Sequence, residues 1–286
     1  MKKLFIYTLL ILAGISSFLS CSKEDKVTLE KENLDYFAII NKPKEKWNAL
    51  DSLCDTIYRD YGVKIVYEYT PQVIRPNDFY YPPTYDKALA YTRKVMKTLW
   101  LEPLKKNFPD YFKRETPIEF ILMGGYYHGH PTNTDIAAGA GFNGQFYRLG
   151  MGGVNNLDLS NKAAVHDHVV TLWHEHAHNQ DVKYGRGEIF DRISIGTYYK
   201  EAWNTKTEPQ AVTDGFFRKY GGFAPEEDFA TTVEHLTRFP KNDALTLINS
   251  NEKLKRKYNL VNKFYLDKGM DLHKLQSIVY DLVYKK

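Results

Sequence analysis

The chain has little cysteine. Two residues in 286, Cys21 and Cys54, exclude a disulfide framework, so the fold has to rest on buried apolar surface. An excess of either charge is missing too. The 39 Lys and Arg face 35 Asp and Glu for a formal net charge of +4, which makes no case for nucleic acid as a partner. Long apolar runs are scarce: Leu4 to Ala13 is too short to span a bilayer comfortably. There is no internal repeat and no low-complexity tract. What the chain has is aromatic side chains, with 22 Tyr, and enough length for one large or two small domains with a real core.

The N-terminus reads as a targeting segment. Lys2 and Lys3 form a positive region ahead of the short apolar stretch. Phe18-Leu19-Ser20-Cys21 then resembles a bacterial lipobox. That resemblance implies a signal peptide over residues 1–20, cleavage before Cys21 and lipidation of its thiol. Three acyl chains would anchor the chain well where one binds only marginally. Residues 21–42 are expected to be a lipidated tether. Its start, Ser22-Lys23-Glu24-Asp25, is similar to the surface-export signal of some Gram-negative outer-membrane lipoproteins, which implies a location facing the cell surface. Cleavage leaves 266 residues with 37 basic and 35 acidic side chains, and Cys54 without an intrachain partner.

Residues 43–286 read as one domain, with a sheet-containing part over about 43–160 and a helical part over about 161–286. Trp47, Leu50, Cys54, Ile57 and Tyr61 recur at helical spacing, and Gly62 ends that helix. Cys54 on this apolar face is expected to be an inert core thiol. Val63 to Tyr69 alternates as a half-buried strand. Four prolines from Pro71 to Pro83 mark a loop. Tyr85 to Asn107 is helical, with Pro103 expected to bend or interrupt it. Ile118 to Met123 is a strand closed by Gly124-Gly125. Ala138 to Gly153 is a glycine-spaced strand whose backbone can approach something closely. After it the pattern is helical, including one amphipathic stretch from Asn242 to Tyr258 and a last helix that Asp271 caps.

The chemistry lies in His174-Glu175-His176-Ala177-His178. Residues four apart on a helix share a face, with Cβ atoms roughly 6 Å apart. His174 and His178 can therefore aim two imidazoles at one Zn²⁺, with Glu175 close enough to take a proton from a metal-bound water. His176 sits about 200° round the helix from His174 and is expected to be packed or hydrogen-bonded. His166 and His168 are expected at the surface. His128 and His130 could line a cleft, and Tyr198, Tyr199 and Trp203 could line a groove or the core.

A third ligand is required. A third His or an Asp six residues after His178 is ruled out, because position 184 holds Tyr184. A later Glu remains, from Glu188, Glu201, Glu208, Glu226 and Glu227. Pro225 with acids beside it is a good helix start, and Phe229, Val233 and Leu236 form its buried stripe. A plain helical wheel puts Glu226 nearest that stripe.

Together, His174-Glu175-x-x-His178, then Tyr220, then Glu227-Asp228-Phe229-Ala230 resemble the substrate import-associated zinc metallohydrolases. These are gluzincin-type lipoproteins related to the zinc-binding metallopeptidases. The resemblance implies an α+β, zincin-like fold with a small mixed sheet, an active-site helix and a helical C-terminal part. It implies that Glu227 is the third ligand to one catalytic Zn²⁺, and that Tyr220 projects toward the metal to support an oxyanion. Where relatives carry an acid four residues after the ligand Glu, this chain has Thr231, and Glu234 on the same helical face is expected to take its place. The implied activity is a metallopeptidase acting on peptides or glycopeptides beside a TonB-dependent outer-membrane importer and its binding lipoprotein. The alternatives are a binding lipoprotein whose zinc is not catalytic, or a zinc hydrolase of non-peptide amides.

Overall fold

Asn48 starts the first helix, α1 (Ala49–Tyr61). Its side chain accepts from the Asp51 amide, and Asp51 accepts from the Asn48 amide, at 2.8 Å each. This reciprocal pair satisfies two donors the helix start would leave open. Gly62 ends α1 with φ 71°, a conformation that costs glycine little. The computed structural model describes residue 40 and residues 42–69, 81–125 and 141–285. Within it, Lys42–Lys286 cluster as one unit. The signal peptide, Cys21, His128 and His130 lie outside the described residues. No helix among the described residues is long and apolar enough to cross a membrane.

A mixed four-stranded sheet forms the first layer. Its strands are β1 (Lys64–Val66), β2 (Glu119–Leu122), β3 (Gly141–Gln145) and β4 (Arg148–Met151), in the order β1-β2-β4-β3. β1, β2 and β4 run parallel, and β3 returns antiparallel along β4. The glycine-spaced segment is thus a hairpin of two strands, not one strand. Its first arm is the sheet edge.

Between β1 and β2 the chain runs through α2 (Tyr85–Tyr91), a π-helical stretch (Thr92–Leu101), α3 (Glu102–Asn107) and α4 (Pro109–Glu115). Pro103 does not break this run. The widened π-helical turns end just before it, and widening relieves the clash of a proline ring with the preceding turn.

The long helix α5 (Lys162–Tyr184) lies against the sheet. Asn161 caps it by accepting from the Ala164 amide at 3.1 Å. Every residue from Leu172 to Gln180 is buried, so this helix has no wet face over its middle. Trp173 stacks on Trp100 at 5.3 Å, and Trp100 meets Phe120 of β2 edge-on at 4.9 Å. The Asn179 amide donates to the Arg148 carbonyl of β4 at 2.9 Å. These ties fix the helix in position and rotation.

Beyond α5 come α6 (Glu188–Asp191), a 3₁₀ turn (Lys200–Thr205), α7 (Glu208–Asp214), a second 3₁₀ turn (Lys219–Gly222) and α8 (Pro225–Arg238). Then follow α9 (Lys241–Asn249), α10 (Glu252–Asp267) and α11 (Leu272–Tyr284). The expected single helix from Asn242 to Tyr258 is two helices. Asn251 turns out of the helix and caps α10 by accepting from the Lys253 amide at 2.8 Å. Asp271 caps α11 as expected. Cys54 is buried, and that burial pushes its thiol up to about 12.

Candidate metal centre

His174 and His178 sit one turn apart on α5, and their Nε2 atoms are 3.2 Å apart. Glu227, in the first turn of α8, places Oε2 at 3.1 Å from His174 Nε2 and 3.3 Å from His178 Nε2. Ligand atoms about 2.0–2.1 Å from a tetrahedral zinc stand about 3.3–3.4 Å from one another. The three edges match one face of that tetrahedron to within a few tenths of an ångström. Two ring nitrogens and a carboxylate oxygen that converge in a buried spot call for a shared cation. The donor set, two nitrogens and one oxygen, is that of a catalytic zinc site. Among the described residues this is the one such group of His, Cys, Asp or Glu.

Glu234, two turns along α8, supports the group. Its Oε2 lies 3.3 Å from His174 Nδ1. Its other oxygen accepts from Arg218 at 2.5 Å and Arg238 at 3.1 Å. A carboxylate on the outer nitrogen of a ligand His orients the ring and raises its basicity. Burial pulls the His174 imidazolium down, but Glu227 and Glu234 outweigh it and push the ring up to about 10. Burial also raises Glu234, and His174 and the two arginines reverse this and bring it to about 2. Arg238, four residues from Glu234, is legible as a helical ion pair. Nothing in the sequence marks Arg218.

Glu175 follows His174 and is 8% exposed. Burial holds its carboxyl above the ordinary range, and the charges of His174 and His178 pull against that. Tyr220, from the second 3₁₀ turn, lays its ring on His174 at 6.2 Å and 27°. Burial, and then the Glu227 carboxylate, hold its phenol well above the usual tyrosine range, so it stays a donor. Trp203 meets Tyr220 edge-on at 4.9 Å.

The remaining candidates fall elsewhere. The Glu226 side chain is half exposed, 4.0 Å from Arg186. Glu188 pairs with Arg192, Glu201 is exposed, and Glu208 accepts from the Lys219 amide. Thr231 is buried and donates to the Asp228 carbonyl at 3.2 Å. His176 is fully buried and bonds the Glu115 carbonyl at 3.0 Å, as expected. His166 and His168 correct the expectation of surface histidines. Both are buried, His166 against Tyr280 and Tyr284 and His168 against Tyr91. Tyr198 and Tyr199 are half-buried, with hydroxyls donating to Asp228 and Asp214.

Comparison with known proteins agrees with this geometry. A crystal structure of a "putative zinc-binding metallo-peptidase" from Bacteroides caccae ATCC 43185 superposes with a TM-score of 0.62 over 87% of this chain and 96% of that one. At 20% identity the likeness shows a common fold. Comparison with curated proteins finds no match. The family model described as "Putative zinc-binding metallo-peptidase" matches residues 43–272. That span takes in the sheet, α5 and α8, and the chain belongs to this family.

Proposed function

We propose that the chain is a lipid-anchored zinc metallopeptidase of gluzincin type, acting on peptides or glycopeptides at the outer-membrane surface beside a TonB-dependent importer. The observation that carries the catalytic part is the convergence of His174, His178 and Glu227 at 3.1–3.3 Å with Glu175 next to it. These three side chains would hold the metal. When bound, Zn²⁺ supplies Lewis-acid polarisation of a carbonyl and acidification of a water. Glu175 takes a proton from the attacking water and delivers it to the leaving amine nitrogen. Burial, by raising its proton affinity, suits it to both transfers. Tyr220, kept protonated, donates to the substrate oxygen as that oxygen gains charge. β3, the edge strand of the described sheet, borders α5 and offers backbone groups to align an extended peptide. The anchor rests on Leu19-Ser20-Cys21, and the import role on the family resemblance.

Glu175→Gln tests the catalytic reading. It keeps size and removes the base. Zinc content should stay at one per chain, while cleavage of a peptide library, followed by mass spectrometry, falls about a hundred- to ten-thousand-fold. Tyr220→Phe should lower turnover about a hundred- to a thousand-fold with substrate binding little changed. If wild type and Glu175→Gln both cleave nothing and bind peptide or glycan equally, the binding-lipoprotein reading replaces the enzyme.

A further inference from the structure

Directly after Glu227, Asp228 lies about 100° round α8 and is fully buried. It forms an ion pair with Lys257 of α10 at 2.7 Å, and both side chains are 0% exposed. The Lys257 ammonium also donates to the Gly215 carbonyl at 2.6 Å and sits 4.3 Å over the Phe216 ring. Tyr198 donates its hydroxyl to Asp228 at 3.0 Å. Thr232 donates to the Asp228 carbonyl at 2.7 Å. Four separate pieces of chain thus meet at the residue beside the third ligand.

Such a pair is a poor way to gain stability. Desolvating two charges costs about as much as their attraction returns, and apolar pairs of similar volume commonly serve as well. It gives direction instead. The apolar stripe of Phe229, Val233 and Leu236 holds α8 in the core, but apolar contact does not fix rotation tightly. A side-chain tip about 5–6 Å from a helix axis moves by about 1 Å for a 10° rotation. Metal–ligand distances tolerate about 0.2 Å.

We infer that the buried Lys257–Asp228–Tyr198 cluster is a positioning peg that sets the rotation of the first turn of α8 and so aims Glu227 at His174 and His178. The inference rests on the zinc site proposed above. Its role is to hold Glu227 in place before metal arrives, so it acts on zinc affinity more than on folding.

The test measures zinc affinity by competition with a chromogenic chelator, and melting temperature in EDTA, on the mature chain. The double variant Asp228→Leu with Lys257→Met removes both charges together. Its zinc affinity should fall about 10- to 100-fold, while its metal-free melting temperature stays within about 4 °C of wild type. Tyr198→Phe removes one donor and leaves the ion pair. It should weaken zinc a few-fold at unchanged melting temperature, and it decides the question alone if the double variant does not fold. Unchanged zinc affinity in the deciding variant overturns the inference. So does a loss of zinc that follows a matching loss of melting temperature, which would assign the cluster to the fold. Wild-type protein that takes up no zinc, or zinc binding untouched by Glu227→Ala, overturns the site itself and is a distinct result.

Discussion

One step of about 100° along α8 separates Glu226 from Glu227, and it separates solvent from the metal group. The Glu227 side chain is 13% exposed and Glu226 is 50% exposed. The helical wheel favours Glu226 because it assumes one buried stripe. α8 has more than one: Thr231, Thr232, Glu234 and His235 are buried along with Phe229 and Val233. The ligand faces α5, which is not the direction of the apolar stripe, so only the family motif picks it out of the sequence. Glu227→Ala should abolish stoichiometric zinc, measured by elemental analysis of the purified chain, while Glu226→Ala retains it. The reverse result would mean that the first turn is rotated from the position described. Glu234→Ala should keep zinc but weaken it about 10- to 100-fold, because His174 loses the carboxylate at its outer nitrogen. Equal affinity in that variant would show that Thr231 leaves no gap for Glu234 to fill.

The buried face of a helix was legible where one face stays wet and illegible where none does. The cap at Asp271 and the stop at Gly62 follow from local chemistry and stand in the structure. The break between α9 and α10 also has a local signal, Asn251 ahead of Glu252, but the apolar pattern runs on across it and hides it. His166 and His168 flank the exposed Asp167 and are covered by Tyr280, Tyr284 and Tyr91, contacts between distant segments that no local pattern shows. That burial has a measurable consequence. Burial lowers His168 from 6.5 to about 4, and lowers His176 and His235 to about 4 as well. In each case the unfolded chain takes up a proton near pH 6.5, while the folded chain resists until about pH 4. The stability is therefore complete above about pH 6.5 and is lost as pH falls from there toward 4. One such histidine accounts for about 2 kcal/mol between pH 7 and pH 5. His168→Leu removes one of them, a ring that packs edge-on against Tyr91. Urea unfolding in EDTA should show a fall in stability from pH 7 to pH 5 that is smaller by about 2 kcal/mol than in wild type. An equal fall would mean that His168 is already wet in the folded chain.

At the scale of the whole molecule, the kinds of element were readable and their arrangement was not. The strand order β1-β2-β4-β3 joins segments far apart in sequence, and no local pattern fixes which of them pair. The family likeness implies a small mixed sheet and leaves its order open. The place proposed for the domain rests on the N-terminal sequence. Residues 21–42 span at most about 80 Å when fully extended, so a chain lipidated at Cys21 works within a short radius of the membrane. No described helix is long and apolar enough to cross a bilayer. Three acyl chains hold a protein firmly where one does not, and the 37 basic against 35 acidic side chains of residues 21–286 add little attraction to an anionic surface. Cys21→Ala should therefore either release the domain to the soluble fraction or leave it uncleaved with residues 1–20 attached. Membrane fractionation with mass spectrometry of the N-terminal peptide distinguishes the two. Wild type should show Cys21 as the modified first residue. If Cys21→Ala is processed and retained as wild type is, the lipid anchor falls, and the surface role proposed for the enzyme falls with it.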